Sequence, residues 1–498
     1  MSAGMRRRVF GGLAWAGTSQ IVMQVLRMVV AVSLARILAP ENYGLAALAI
    51  VFASLVLVFS DLALGAAIVQ RKDLSEDDRC TAFWMAIAAG TLFTLLGFVL
   101  AEPIASFYGR PEVAPLCRAL SVTFIIVSLA TTHEALLVRA MEFGKLERRM
   151  MVATAAGALA AIVVALATRS PWALIAQQIG EAVVSSMLLI AFSPWRPKLR
   201  FSRASLKALG GFSAYLVGHR TLYYFHRNAD NILIGRFVGA AALGAYTLAY
   251  NLMLFPFSRI AGPVQKVLAP AFARMQDEPQ RIADTWMRAV RMVGTISVPA
   301  LCGLVVVAPD FVQVVLGDDW SQATPIIQVL AWVGIVQSLQ SLNTDVLQAR
   351  GNARAVFRFS ILFTGTHLVA FLIGLHWGVV GVAAAYAIST TFVEPVYTVM
   401  TARSLGSSAW KLVLSVRGVF EAALIMAAVV LAARLLLVEA AVPTFPRLVA
   451  CIALGGLVYI AVYPWRAADG WADIRGILGD ALGRRRRRQS PLAAAAEG

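Results

Sequence analysis

Two arginines 200 residues apart, Arg27 and Arg227, lie in the middle of long apolar stretches. Holding an arginine at that depth in a bilayer costs about 3 kcal/mol or more unless it faces water or a partner. A guanidinium matches phosphate oxygens bidentately, so one chemistry on offer is a cationic clamp for an anionic group. The structural alternative pairs Arg227 with Asp230 at i+3 and Arg27 with Asp61 on the following helix. The segment His219-Arg220-x6-Arg227-Asn228-x-Asp230-Asn231 is too polar to face lipid and must line water or protein. Arg220 lies about two turns from Arg227 on a similar face, which makes a basic ladder down one wall. His219 and His226 fit satisfied structural histidines better than titrating ones. Asp61, inside an apolar segment, is a candidate proton or sodium carrier or a plain counter-ion for Arg27. Glu181, Glu394 and Glu421 are weaker candidates of the same kind. Tyr250 and Asn251 offer hydrogen bonds either to a sugar or to another helix.

Chemistry of other kinds has no residues to carry it. The sequence contains no Walker A, HExxH or GxSxG motif, and Cys80, Cys117, Cys302 and Cys451 are scattered. No catalytic residue, cofactor or metal is therefore expected. Of the 498 residues, 59% are apolar and 14% charged, with mean hydropathy +0.74, where soluble proteins carry about 25% charged residues. The chain is all-α and polytopic. A span needs about 20 apolar residues, and the pattern predicts fourteen, near 10–35, 43–69, 81–101, 113–138, 150–168, 172–193, 207–235, 242–267, 286–308, 323–348, 355–375, 378–401, 418–437 and 448–464. The first span is expected to stay uncleaved, because Gln20, Gln24 and Arg27 follow its basic start within one helix. Pro256, Pro263 and Pro270, with Arg259 and Lys266, predict a bent, part-hydrated eighth span.

The net charge of +17 suggests nucleic acid until the charges are placed. With the N-terminus cytoplasmic, 32 of the 44 Lys and Arg fall on the cytoplasmic side, seven on the other and five inside spans. This is the positive-inside pattern of an inner-membrane protein with both termini cytoplasmic, and it excludes nucleic acid as the partner.

The chain also resembles itself. Gly11, Ala14, Arg27, Arg36, Gly44, Leu48 and Ala49 match Gly211, Ala214, Arg227, Arg236, Gly244, Leu248 and Ala249 without a gap. Further on, Glu134-x-Leu-x-x-Arg139 matches Asp345-x-Leu-x-x-Arg350. The period covers six spans, an even number, so both copies enter the membrane in one orientation. Residues 1–200 and 201–405 are read as two parallel six-helix lobes, 406–466 as two extra helices and 467–498 as a tail. Nine residues separate Arg27 from Arg36, and Arg227 from Arg236, so each inner arginine lies about 13 Å below the outer one. In the tail, Trp471, Ile474, Ile477, Leu478 and Leu482 recur at helical spacing before Arg484 to Arg488, a pattern for anchoring to anionic lipid. Asp310 to Trp320 reads as an outer loop with Trp320 as an interface anchor.

The stretch Leu34-Ala-Arg-Ile-Leu-Ala-Pro-Glu-Asn-Tyr-Gly44 and its partner Asp230-Asn-Ile-Leu-Ile-Gly-Arg-Phe-Val-Gly239, continuing to Leu243-Gly-Ala-Tyr246, resemble the bacterial O-antigen and exopolysaccharide flippases of the multidrug/oligosaccharidyl-lipid/polysaccharide superfamily. The resemblance extends over essentially the whole chain. It implies translocation of an undecaprenyl-pyrophosphate-linked oligosaccharide by alternating access, in two six-helix lobes around a cationic cavity. A glycan polymerase and chain-length machinery are the implied partners. The alternatives are a peptidoglycan-precursor or drug exporter of the same superfamily and, from another class, a membrane glycan polymerase. The arginine-rich interior argues against a drug exporter, and the short outer loops argue against an enzyme.

Overall fold

The computed structural model describes residues 23–60, 68–206 and 227–476, apart from 25, 70, 72 and 474, and also Gly65 and Tyr224. Every element among these residues is helical. In chain order they are α1 (26–37), α2 (Pro40–Ser60), α3 (Glu76–Tyr108), α4 (Val113–Arg139), α5 (Phe143–Thr168), α6 (Trp172–Phe192), α7 (227–237), α8 (Ala240–Pro256), α9 (Gly262–Arg274), α10 (Pro279–Phe311), α11 (Ala323–Gln340), α12 (Asn343–Ala349), α13 (Ala353–Gly374), α14 (Gly378–Ser404), α15 (Ala409–Glu439) and α16 (Thr444–Arg466). Nine helical runs among the described residues are long and apolar enough to cross a membrane, and one of them, Ala353–Ser404, contains both α13 and α14. The chain is a multi-pass membrane protein. Its contacts divide it into two compact units, Met1–Thr247 with Val315–Asp319, and Leu248–Val314 with Trp320–Gly498.

In the first unit α3 packs on α4, α5 on α6, and α4 on both α2 and α6. Lipid is as apolar as leucine, so close approach through small side chains holds such helices together. Ala158, Ala161 and Ala165 of α5 and Ala173 of α6 accordingly receive Val30 and Leu34 of α1 and Leu38 just beyond it. The segment after α6 folds back onto the start of α3. Trp195 Nε1 donates to Glu76 Oε1 at 3.0 Å, Trp84 Nε1 to the Lys198 carbonyl at 3.0 Å, and the Ser202 amide to Thr81 Oγ1 at 3.0 Å.

The sequence repeat has a local structural counterpart. Helix α1 stops after residue 37 and α2 begins at Pro40, while α7 stops after 237 and α8 begins at Ala240. The two helix starts then cross. A Cβ on Gly44 would overlap the Ala240 carbonyl, and a Cβ on Gly244 would overlap the Pro40 carbonyl. Equivalent residues thus make reciprocal contacts, each glycine fitting beneath the first turn of the other helix. Arg139 and Arg350 also do equivalent work. Arg139 donates to the Ile68 carbonyl at 3.0 Å and to that of Arg71, in the segment before α3. Arg350 donates to the Gln276 carbonyl at 2.5 Å, in the segment before α10, and to that of Ser404 at 3.3 Å.

In the second unit α10 packs on α11, α15 and α16, α11 on α14, and α13 on α14. The eighth span bends where its prolines require, through a π turn at Phe257–Ala261 between α8 and α9. The outer loop expected at Asp310 to Trp320 is mostly helical, because α10 runs to Phe311 and continues through a π turn at Val312–Leu316. Trp320 is 1% exposed and so packs inside the protein instead of anchoring at the interface. Asp310, 2% exposed, accepts from Arg434 Nε of α15 and from Arg447 Nη2 of α16, both at 2.6 Å. One buried carboxylate therefore ties α10 to both helices that lie outside the repeat.

Two stability measurements check this packing by equilibrium unfolding in mixed micelles. Gly44→Ala and Gly244→Ala should each destabilise by about 1–3 kcal/mol through overpacking. Gly144→Ala, where a Cβ meets nothing within 4 Å, should shift stability by less than about 1 kcal/mol, towards the folded state. Asp310→Ala leaves two guanidiniums without their carboxylate and should cost about 3–5 kcal/mol.

Candidate functional site

Seating α1 against α5 and α6 fixes where Arg27 points. Its Nη2 lies 3.9 Å from Oε1 of Glu181 on α6, and the two side chains keep 45% and 34% of their exposure. Thr154 of α5 donates to the same Glu181 oxygen at 3.1 Å. On α6 the polar residues Gln178, Glu181 and Ser185 recur at i, i+3 and i+7, one face of a helix. That face lines a cavity of about 190 Å³, to which α2 adds Ser54 and α4 adds Thr123. Arg149 of α5 closes the polar array, pairing with Glu134 at 3.2 Å and donating to Ser185 Oγ at 3.1 Å.

The arrangement can do one thing well. A single-oxygen contact of 3.9 Å uses one corner of the Arg27 guanidinium, and much of that side chain remains accessible. An incoming anion with two or more oxygens can take the remaining donors, with hydroxyl and amide groups of α6 close by. Asp61, the counter-ion expected for Arg27, lies outside the described residues, as do Arg220, His219 and His226.

The described part of the seventh span turns its polar residues into protein. Asp230 is 3% exposed, accepting from Tyr246 Oη at 2.8 Å and from the Asn231 amide at 2.8 Å. Arg227, one turn earlier, acts electrostatically on the same carboxylate. Tyr224 donates to the Val51 carbonyl, and Asn228 to that of Tyr224 at 3.0 Å. Arg236 lies over the Phe107 ring, 5.5 Å from its centroid, and Arg36 donates to the Val315 carbonyl at 2.9 Å.

Tyr250 and Asn251 belong to the second unit, where Tyr250 is half-buried on α8 and Asn251 exposed. Glu421 pairs with Arg417 at 2.6 Å and Arg466 at 3.6 Å, and Glu394 is buried in α14. The large feature of this unit is an apolar groove of about 650 Å³ between α10, α15 and α16. It extends from Thr295 and Tyr463 to Phe311 and Cys451, about 24 Å along α10 at 1.5 Å per residue. The sequence carries no signal for the groove, because four helices separate α10 from the α15 and α16 that complete its walls. It also left Glu181 a minor candidate, although Gln178 and Ser185 on the same face are a legible signal.

Residues 33–325 match the family described as "Polysaccharide biosynthesis protein". The lipopolysaccharide biosynthesis protein WzxC of Escherichia coli (strain K12) is 29% identical over 417 residues, 82% of this chain and 84% of that one. The teichuronic acid biosynthesis protein TuaB of Bacillus subtilis (strain 168) is 33% identical over 312 residues, 62% of this chain and 63% of that one. Among solved structures, the lipid II flippase MurJ in an inward closed conformation superposes with a TM-score of 0.73 over 92% of this chain and 99% of its own, at 14% identity. That last likeness establishes the fold, a polytopic helical transporter fold. Since the family match covers well over half of the sequence, the chain belongs to the polysaccharide biosynthesis protein family.

Proposed function

We propose that this protein is a flippase, carrying an undecaprenyl-pyrophosphate-linked oligosaccharide across the bacterial inner membrane by alternating access between two six-helix lobes. The observation that carries the reading is Arg27, an accessible cation deep in an apolar span, paired with Glu181 at the wall of a cavity of mixed polar and apolar lining. A diphosphate crossing a ~30 Å hydrocarbon core needs cationic compensation on its route, and Arg27 supplies donors at mid-depth. The repeat gives Arg227 the matching depth in the second copy, so Arg27 and Arg227 bind the diphosphate jointly, with Arg220 extending the basic wall. Tyr250 and Asn251 hydrogen-bond the glycan. Asp61 serves as counter-ion or ion carrier, and Asp230 keeps Arg227 oriented. The polyprenyl tail needs an apolar path of its own, and the groove between α10, α15 and α16, about 24 Å long and lined by apolar side chains, can take part of it.

This is transport, with no bond made or broken. Both termini are cytoplasmic, the basic tail meets anionic lipid, and the exported unit passes to a glycan polymerase and chain-length machinery. The names of WzxC and TuaB, each a biosynthesis protein for an envelope polysaccharide, agree with this class of cargo.

The test is polysaccharide export in a strain lacking the native gene, with surface expression matched. Arg→Lys at 27 or 227 keeps the charge but loses the fork and should retain partial export. Arg→Ala should lose most of it, and the double Ala should cost little beyond the worse single. Normal export from both single Ala variants overturns the clamp. Failure of each variant to accumulate assigns both arginines to structure instead.

A further inference from the structure

The apolar groove of the second unit has a polar, cationic end, and the chain itself occupies that end. After α16 the backbone breaks at Ala467 and residues 468–473 form a short helical segment that turns back onto α10. Trp471 of this segment is part of the groove wall, beside Thr295 and Tyr463, and packs against the cluster of Val298, Tyr463 and Ala467. Two residues on, Asp473 pairs with two guanidiniums of α10, while Arg475 lies over the Trp471 ring. Asp473 meets Arg291, the two side chains keeping 14% and 16% of their exposure, and Arg288 at 3.4 Å, which keeps 65%. Gly470 sits against the Tyr463 hydroxyl and the Arg291 stem.

Three features of this end go beyond a helix brace. The collar is polar, with Thr295 Oγ1 2.8 Å from Tyr463 Oη and Tyr459 Oη donating to the Thr295 carbonyl at 2.9 Å, while the body of the groove is apolar for about 24 Å. Arg291 Nε is buried with no acceptor opposite it, so Asp473 leaves one donor of that fork unsatisfied. Arg288 is mostly in solvent, on the side that the charge bias assigns to the cytoplasm. Two arginines at the mouth of an apolar channel complement an amphiphile with a phosphate head. A phosphate also brings more oxygens than one carboxylate and can fill the donor that Asp473 leaves open.

We propose that Arg288 and Arg291 are an inner-leaflet docking station for the phosphate headgroup of a polyprenyl lipid, and that Asp473 and Trp471 are the resident plug this headgroup displaces. Headgroup and Asp473 compete for the same two guanidiniums. Binding of one releases the other, and release of Asp473 lets Trp471 leave the mouth so that the tail enters the groove. The inference rests on the flippase reading for its ligand and adds a control on entry. Linkage makes the competition reciprocal: whatever frees the plug tightens the headgroup, by the same factor.

The experiment uses the full chain in phosphatidylcholine nanodiscs, read by hydrogen–deuterium exchange of residues 468–476 and by binding of undecaprenyl diphosphate. In the unmodified chain, the added diphosphate lipid should speed exchange of 468–476 severalfold. Asp473→Asn should exchange fast without lipid, respond little to it, and bind it severalfold more tightly. Asp473→Glu keeps the charge and should stay closed, which separates loss of the latch from loss of folding. Arg288→Gln with Arg291→Gln should exchange fast and lose most of the gain in binding. Nanodiscs containing phosphatidylglycerol distinguish the source of the phosphate. Faster exchange with phosphatidylglycerol in the absence of the diphosphate overturns the assignment to a polyprenyl headgroup in favour of a latch released by any anionic lipid, and a response to the diphosphate alone supports the proposal. Diphosphate binding that leaves 468–476 unchanged, or no gain in affinity from Asp473→Asn, overturns the plug while leaving the flippase reading intact. Diphosphate binding and export that both survive Arg27→Ala and Arg227→Ala count against the clamp and leave the plug standing.

Discussion

Charge inside an apolar slab has to bring its partner with it, and the arrangement of helices follows from how each charge is met. The hydrocarbon offers neither hydrogen bonds nor a high dielectric, so an unmet ion there is worth several times what it costs at a protein surface. Asp230 is met by a tyrosine from the next helix and an amide from its own. Asp310 is met by two arginines from two further helices. Arg139 and Arg350 are met by backbone carbonyls at segment ends that would otherwise be left over. Each solution fixes one helix against another more specifically than apolar packing can, because leucine against leucine is hardly different from leucine against lipid.

Some of these solutions recur at the period of the sequence repeat and others do not. Arg139 and Arg350, and the reciprocal crossing of Gly44 and Gly244, recur at the period and do the same work in both copies. The Asp310 cluster does not recur. It uses Arg434 and Arg447 of α15 and α16, and so ties the last two long helices to α10. The groove and its plug also depend on those helices. The apolar groove is thus walled by the two helices that follow the repeat together with one helix of its second copy.

Much of this architecture was legible in the sequence, for stated reasons. Spans declare themselves because about 20 residues must be apolar together, and the pairing of Glu134-x-Leu-x-x-Arg139 with Asp345-x-Leu-x-x-Arg350 marked two residues that turn out to be equivalent. Partnerships across helices were less legible. Asp310 reads as a loop acid because residues 310–320 carry three Asp and no Lys or Arg, yet its partners lie more than 120 residues on. Trp320 has the composition of an interface anchor, and only tertiary packing reveals that it is enclosed. Four helices lie between Arg27 and Glu181 in the sequence, so spacing alone favoured Asp61.

Tightness separates the arginines that hold the protein together from the one that has capacity to spare. Around Asp310 the contacts are 2.6 Å and the guanidiniums keep 17% and 13% of their exposure. Such groups have no free donor face, and a ligand would have to break the fold to reach them. Arg27 is the opposite case, 3.9 Å from one oxygen and 45% exposed, with its carboxylate partly engaged by Thr154. A loose pair in a bilayer is a poor stabiliser, since it gains little attraction for the desolvation it incurs. Its geometry makes sense if the guanidinium is kept charged and oriented while most of its donors stay available. By the same measure Arg291 and Arg288 are intermediate, one enclosed and one in solvent, sharing a carboxylate that sits on the short helical segment after α16. Rigid, exchangeable and open pairs thus occupy different parts of one chain, and the distinction among them lies in how many guanidinium donors each environment leaves unused.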